Sequence, residues 1–313
     1  MNGTAIGVAI GGTKIQEVQS AIERAEELDI DAVWMTTGGA RLDSITTFAA
    51  TAGSTRKVKL GTSIVPIYPR HPLVMAQQVQ VVAQAAPGRF RLGIGPSHRP
   101  TMRNMGIQMP RPLGHLRDYL RILKALLQLG QVDYQGKHFQ AKERIPEPVA
   151  VPVMASALRA GSFELCGGEA DGAISWVCPG SYLRDVALPA MKKGADQAGR
   201  EAPPLIAHVP VCVHEDPSEV RAAFREQFGG YPTLPFYRRM LIDAGYPEAA
   251  EGTWSDGMID GLVIHGDEAG VTAGLRELIS YGAGEILVSP ILAGGDQAAS
   301  LDRTLRLLGR VSG

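Results

Sequence analysis

Short apolar runs rich in β-branched residues recur along the chain, and each is followed by a stretch with helical spacing. Eight such runs stand out: Thr4–Ile10, Ala32–Met35, Val58–Val65, Phe90–Ile94, Val151–Met154, Ala173–Val177, Leu205–Val213 and Glu285–Ser289. Between them, Met75, Val79, Val82 and Ala86, and then Leu116, Leu120, Leu123 and Leu127, are spaced four, three and four apart, which puts each set on one helix face. Repeated strand-helix alternation predicts parallel strands with helices outside. Runs that are apolar throughout, as in VKLGTSIVPI, suit a sheet covered on both faces. An open doubly wound sheet usually carries a glycine fingerprint after its first strand and an acid about 20 residues later. Gly11-Gly12 does not fit that spacing. The expectation is therefore an α/β fold, a (β/α)8 TIM barrel in which residues 1–313 form one domain.

Two long segments break the rhythm, residues 95–112 (GPSHRPTMRNMGIQMPRP) and residues 229–257. Loops of this length inside a compact barrel are usually lids or binding loops. Barrel chemistry gathers at the C-terminal ends of strands, where Gly95 begins the first segment. The second combines Tyr231, Phe236, Tyr237, Tyr246 and Trp254 with Arg238 and Arg239. That composition serves a lid over a conjugated substrate, an intersubunit contact, or plain packing of an extra helix.

Charge and composition exclude several classes. Lys+Arg 31 against Asp+Glu 32 leaves a net charge of −1, with no like-charge block, so a nucleic-acid partner is not expected. Met1 to Gly12 lacks a basic n-region and a long apolar h-region, and no run of about 18 apolar residues occurs. A cytoplasmic protein without a membrane partner is expected. Cys166, Cys178 and Cys212 have no metal-type spacing and read as buried thiols. His208, His214, Glu215 and Asp216 offer no helical i, i+4 pair, and no metal site is expected there.

The opening GVAIGGTKIQEVQS resembles the phosphate-binding hairpin of actin-like sugar kinases. That hairpin needs an acid two places before its glycines and a strand after them. Ala9 stands at the acidic position, and Ile15, Val18, Ile22, Ala25 and Leu28 recur at a helical period. The segment reads as strand, glycine turn and amphipathic helix, with small residues at the rim that would let a bound ring lie close.

From Leu60 the chain runs LGTSIVPIYPRHPLVMAQQVQVVAQAAPGRFRLGIG, followed later by VDYQGKHF and LCGGEADGAI. These pieces, in this order, resemble the bacterial luciferase-like flavin and deazaflavin oxidoreductases, and most closely their coenzyme F-420-dependent branch. The likeness fades beyond about Val213. It implies a non-prolyl cis peptide bond at Ser63–Ile64 behind a tricyclic ring. It also implies that the cofactor phosphate is held at ASALRAGSFEL, where free amides and the positive end of a helix beginning near Ala160 meet the anion. Relatives usually have Gly-Pro where this chain has Arg159-Ala160. Arg159 is either a charged fork to phosphate or an arginine on a solvated helix start. Alcohol-oxidising relatives carry an Asp-His pair where this chain has Thr37-Gly38, so no group there titrates near neutrality to remove an alcohol proton. His98 falls where several deazaflavin relatives place an acidic proton donor, whereas His71 is explained as helix entry.

The resemblance thus implies an F-420-dependent oxidoreductase, working as an F-420H2-dependent reductase, that passes a hydride to a small organic substrate with an electron-poor C=C or C=N bond. Thr36, Thr37, Ser63, Ile64, Gly95, Ser97 and His98 would line the ring, and Ala157, Arg159, Ala160 and Gly161 would stand near the phosphate. His98 is the expected catalytic acid. The alternative is an FMN-dependent monooxygenase on the same barrel, with a flavin reductase as partner. A non-catalytic cofactor-binding barrel and a sugar kinase are the readings from other classes. Relatives are often homodimers, and a homo-oligomer is expected.

Overall fold

The computed structural model describes residues 3–312, and Met1, Asn2 and Gly313 lie outside the described residues. Eight parallel strands close into a barrel in chain order: β1 (Ala5–Ile10), β2 (Ala32–Met35), β3 (Lys59–Thr62), β4 (Phe90–Gly95), β5 (Val153–Ser156), β6 (Ala173–Ile174), β7 (Leu205–Val213) and β8 (Glu285–Pro290). Closure comes from β8 pairing with β1, Gly7 opposite Leu287 and Val8 opposite Val288. Helices such as Ile15–Glu27, Pro72–Ala85 and Pro112–Leu129 lie outside and bury Val18, Ile22, Met75, Val79, Leu116, Leu120 and Leu123 against the strands. This outer shell supplies most of the apolar burial that stabilises the fold. A small antiparallel hairpin, Gln131–Gln135 with Gln140–Arg144, sits outside the barrel. No helix among the described residues is long and apolar enough to cross a membrane.

All eight expected runs become barrel strands, with three local differences that have physical causes. The run Val58–Val65 is broken: Val65–Pro66 resumes pairing with Ile94–Gly95 only after an intervening Thr62-Ser63-Ile64 segment. Across that break the Thr62 side chain replaces the backbone, its Oγ1 donating to Gly93 O and accepting from Gly93 N, each at 2.8 Å. Strand β5 begins at Val153 rather than Val151, because Pro152 has no N–H to give to a ladder. Strand β6 ends at Ile174 because the chain turns at Val177, whose φ is 51°.

The glycine pair near the N-terminus does not serve a bound ring. It leads into the helix Ile15–Glu27, whose Glu17 carboxylate folds back to accept from Thr13 N (2.9 Å) and Lys14 N (3.3 Å). An acidic side chain at a helix start satisfies free amides and complements the dipole, and it repels phosphate. The kinase reading ends there.

Side chains pointing into the barrel form a separate, smaller cluster of Ala32, Trp34, Met154, Ile174, Ile206 and Leu287. Its lower end is closed by three residues from three strands. Trp34 Nε1 donates to Glu285 Oε1 (2.8 Å), Arg91 Nη2 donates to the same oxygen (3.0 Å), and Arg91 Nη1 to Oε2. The Arg91 guanidinium also lies 4.3 Å from the Trp34 ring centroid, a cation–π contact. The indole fits because two neighbouring strands present glycine to it: a Cβ at Gly7 would stand 2.7 Å from the ring and one at Gly61 2.4 Å. Removing one partner of a buried ion pair leaves the other uncompensated, at a cost of about 3–5 kcal/mol. Glu285→Ala or Arg91→Ala is expected to lose that much in urea unfolding. The double variant Arg91→Met/Glu285→Leu is expected to lose much less than the sum.

Candidate active site

At the opposite end of the barrel a cavity of about 1470 Å³ opens at the C-terminal ends of the strands. Pockets for a single small ligand are about 300–1,000 Å³, so this one has room for a large cofactor and a substrate together. Both long loops contribute to it. The segment after β4 supplies Ser97, His98, Asn104 and Arg111, and the insertion after β7 supplies Tyr231, Phe236 and Tyr237. Trp254, from the same insertion, packs away from the cavity, edge-on to Phe224, and donates to Phe228 O (2.8 Å).

The expected site residues converge on this one cavity. Thr36, Thr37, Ser63, Ile64, Ser97, His98, Ala157, Arg159, Ala160 and Gly161 all line it. Gly95 does not reach the wall. It lies beneath it, and a Cβ there would stand 2.1 Å from Ser156 Oγ and 3.1 Å from Ile64 Cγ1, so glycine lets those two residues meet under the cavity floor. Gly11 and Gly12 are absent from the lining.

The Ser63–Ile64 peptide bond is cis. The segment is held to the end of β2, Ser63 N donating to Met35 O (2.9 Å) and Thr37 N to Ile64 O (3.2 Å). Ser63 Oγ is buried and has no hydrogen-bond partner, and Ser63 is one of the residues along the cavity. A buried hydroxyl without a partner is costly unless a ligand completes it. Thr37 is less free than the sequence suggests, because its hydroxyl accepts from Ser44 N (3.0 Å) and is 2.6 Å from Ser44 Oγ.

At one end of the cavity the helix Ala160–Glu169 begins. Ser162 Oγ accepts from the Leu158 and Arg159 amides, both at 3.0 Å, and donates to Arg159 O at 2.7 Å. The Ala160 and Gly161 amides make no hydrogen bond among the described residues. Arg159 lies 3.6 Å from Asp243, which also pairs with Arg239 at 3.0 Å. With Arg41, Arg111 and Arg159 on the wall and Asp243 as its one acid, the cavity favours an anion. Free amides at a helix start beside an arginine are a binding place for phosphate or carboxylate.

An aromatic group also lines the cavity. His98 caps the short helix Arg99–Asn104 and meets Tyr231 edge-on at 6.2 Å and Tyr237 at 5.7 Å. Burial pushes the His98 pKa below its ordinary 6.5. Trp176, Tyr231, Ser156, Arg41 and Arg111 escape the sequence reading as individual site residues. Trp176 is two residues beyond Ile174, which faces the barrel interior, so strand periodicity carried past the strand end is the signal that finds it.

A model of the luciferase-like monooxygenase family matches residues 3–285. The chain belongs to that family. Over 308 residues it is 24% identical to 5,10-methylenetetrahydromethanopterin reductase of Methanolobus tindarius, spanning 91% of this chain and 92% of that one. Its fold is similar to that of an F420-dependent secondary alcohol dehydrogenase solved with an F420-acetone adduct (TM-score 0.82, 17% identity, 99% of both chains). It is also similar to the oxygenating constituent of 3,6-diketocamphane monooxygenase from Pseudomonas putida, solved with FMN (TM-score 0.75, 17% identity, 99% of this chain and 98% of that one).

Two further histidines of this luciferase-like chain lie in structural clusters. His115 stacks on Tyr68 at 4.1 Å, and burial together with the nearby His138 lowers its pKa to about 4. His208, inside the barrel, is lowered by burial to about 3. Cys166 and Cys178 are free and buried, and burial raises their thiols to about 12, so they are inert. A histidine held neutral in the fold and protonated when unfolded contributes stability above its unfolded pKa and loses it as pH falls towards the folded value. His208 alone is expected to cost about 2 kcal/mol of stability between pH 6.5 and pH 5. Unfolding measured at several pH values should show proton uptake in that window, smaller by about one proton in His208→Gln.

Proposed function

We propose that the protein is a coenzyme F-420-dependent oxidoreductase that passes a hydride from the reduced deazaflavin to a small organic substrate with an electron-poor C=C or C=N bond. One observation carries this reading. A single cavity joins a wall bearing an unpartnered buried hydroxyl, at Ser63, to a cationic helix start with two free amides, at Ala160 and Gly161. A flat ring with polar edges and an anionic tail supplies what each end lacks. The F420 dependence of the fold relative named above supports the choice of cofactor.

When bound, the deazaflavin supplies the hydride. The chain does the rest. Ser63 would hydrogen-bond the ring, and Ile64 with the backbone around it would support it. Ala160, Gly161 and Arg159 would hold the phosphate. The insertion after β7 brings the apolar rings of Phe236 and Tyr237 to the cavity, where they would limit the water around a bound substrate. His98 holds the proton that the substrate takes up, and its lowered pKa makes the imidazolium a ready donor.

An FMN-dependent monooxygenase is the second reading, favoured by the description of the matching family. Flavin and deazaflavin share a tricyclic ring and a phosphate, so the same wall and helix start serve either. The deciding experiment titrates the purified protein with F-420 and with FMN, and then measures substrate reduction against oxygen uptake. Tight binding of F-420 with acceptor reduction and no oxygen consumption is expected. FMN-dependent oxygen uptake overturns the proposal.

Two variants test the assigned residues. Ser63→Ala removes a hydroxyl without a partner in the free protein, so its unfolding free energy is expected to match wild type or exceed it, while F-420 affinity falls about 3- to 10-fold. His98→Gln is expected to lower turnover about 100-fold or more at unchanged F-420 affinity. In wild type, turnover should rise as pH falls from about 8 to about 6, because the protonated fraction of His98 grows in that direction, and His98→Gln should abolish the slope.

A further inference from the structure

The aromatic group along the cavity contains a chain of three side chains that fix one another. His208 is buried within the barrel on β7, and Val177 N donates to its Nδ1 at 3.0 Å. Nδ1 is therefore the unprotonated nitrogen, and Nε2 carries the proton that it donates to Ser289 Oγ at 2.8 Å. With both nitrogens engaged the imidazole cannot turn, and Trp176 stacks on it at 3.7 Å and 22°. The Trp176 indole N–H, which can only donate, reaches Tyr231 Oη at 2.8 Å.

That last bond determines what Tyr231 offers. Its oxygen accepts from Trp176, so its own proton points elsewhere, and the hydroxyl has no other partner among the described residues. Tyr231 lines the cavity, beside His98. Its ring is held edge-on by Tyr237 at 4.7 Å and leans on Phe228 at 5.7 Å. Burial raises its pKa to about 12, so the proton stays on the oxygen throughout the neutral range.

We propose that Tyr231 is a fixed hydrogen-bond donor to a substrate oxygen that gains negative charge during the reaction, that the substrate is accordingly a conjugated carbonyl compound, and that Trp176 and His208 are positioning residues for it. This rests on the hydride-transfer reading above. Hydride from the reduced deazaflavin, two electrons and one proton, forms a C–H bond at the β-carbon of such a compound. The C=C π pair moves to the α-carbon–carbonyl bond, and the carbonyl π pair moves onto oxygen, which becomes an enolate. Tyr231 donates to that oxygen and keeps its proton. His98 then gives a proton to the α-carbon and the carbonyl re-forms; the deazaflavin, left oxidised, releases the second hydrogen of its reduced form to solvent as a proton, and His98 takes one proton back from solvent. A donor aimed at the place where charge develops stabilises the transition state more than the ground state.

The test uses p-nitrophenolate, a planar conjugated oxyanion whose visible absorption reports its ionisation, with the full chain both free and saturated with F-420. Wild type is expected to bind the phenolate in preference to the phenol. Tyr231→Phe should weaken phenolate binding about 10- to 100-fold, the size of one hydrogen bond to a charged group. His208→Leu should weaken it about 3- to 10-fold, and His208→Gln should restore it, because the amide keeps an acceptor for Val177 and a donor for Ser289. F-420 affinity, titrated separately, should be the same in all variants. Unchanged phenolate binding in Tyr231→Phe, or no preference for phenolate in wild type, overturns the assignment of Tyr231. Failure of wild type to bind F-420 overturns the hydride-transfer reading and, with it, the substrate class.

Discussion

The ion pair between Arg91 and Glu285, with Trp34 laid over it, is the constraint on which the rest of the barrel depends. A barrel of eight strands has an interior that must be filled, and here the lower end is filled by a salt bridge and an indole rather than by layers of aliphatic side chains. Both carboxylate oxygens are satisfied, which is what makes a buried charge pair tolerable. The indole demands glycine at 7 and 61 on the strands either side of its own. Because the floor is solid, the upper half of the barrel is free to carry the irregular backbone and unpartnered polar groups that a binding site requires.

That irregularity is concentrated on one side of the mouth. Between β3 and β4 the ladder is interrupted, and Thr62 stitches the gap with two hydrogen bonds to Gly93. A Cβ at Gly93 would stand 2.0 Å from Thr62 O, so only glycine permits the strands to stay this close. Ser63 and Ile64 are thereby pushed into the cavity. Next along the rim, β5, which pairs with β4, and β6 end in a helix start and a stacked tryptophan, so the mouth brings together the Ser63–Ile64 wall, a cationic helix start and an aromatic group.

How much of this was legible in the sequence depended on how local the cause is. Strands such as Ala32–Met35 and Leu205–Val213 were readable to the residue, because β-branched runs and helical spacing are local patterns. The two long loops announced themselves by breaking that rhythm. The break at Ser63–Ile64 has no signature in residue type, since Gly-Thr-Ser-Ile reads as an ordinary buried strand, and only the family resemblance marked it. The Trp34–Glu285 bond joins residues 251 positions apart and the Arg91–Glu285 pair spans 194, so neither leaves a trace in any local window. Tyr231 was visible as one aromatic among several. Its hydrogen bond to Trp176 depends on how the insertion folds back over the barrel.

The insertion after β7 leaves and rejoins the barrel at nearly one point. The chain departs after Val213, and Ile264–Gly266 returns to pair in parallel with Val211–Val213. Residues 214–263 are thus an excursion that starts and ends on two neighbouring strands, with Val211 opposite Ile264 and Val213 opposite Gly266. The excursion is packed, not loose: Val220, Phe224, Met240, Leu241, Met258 and Ile259 are buried in the same apolar core as the barrel strands, and Phe228 lies against His208 inside the barrel. A graft between relatives that changed substrate choice would therefore have to bring those apolar contacts with it, or leave cavities in the core.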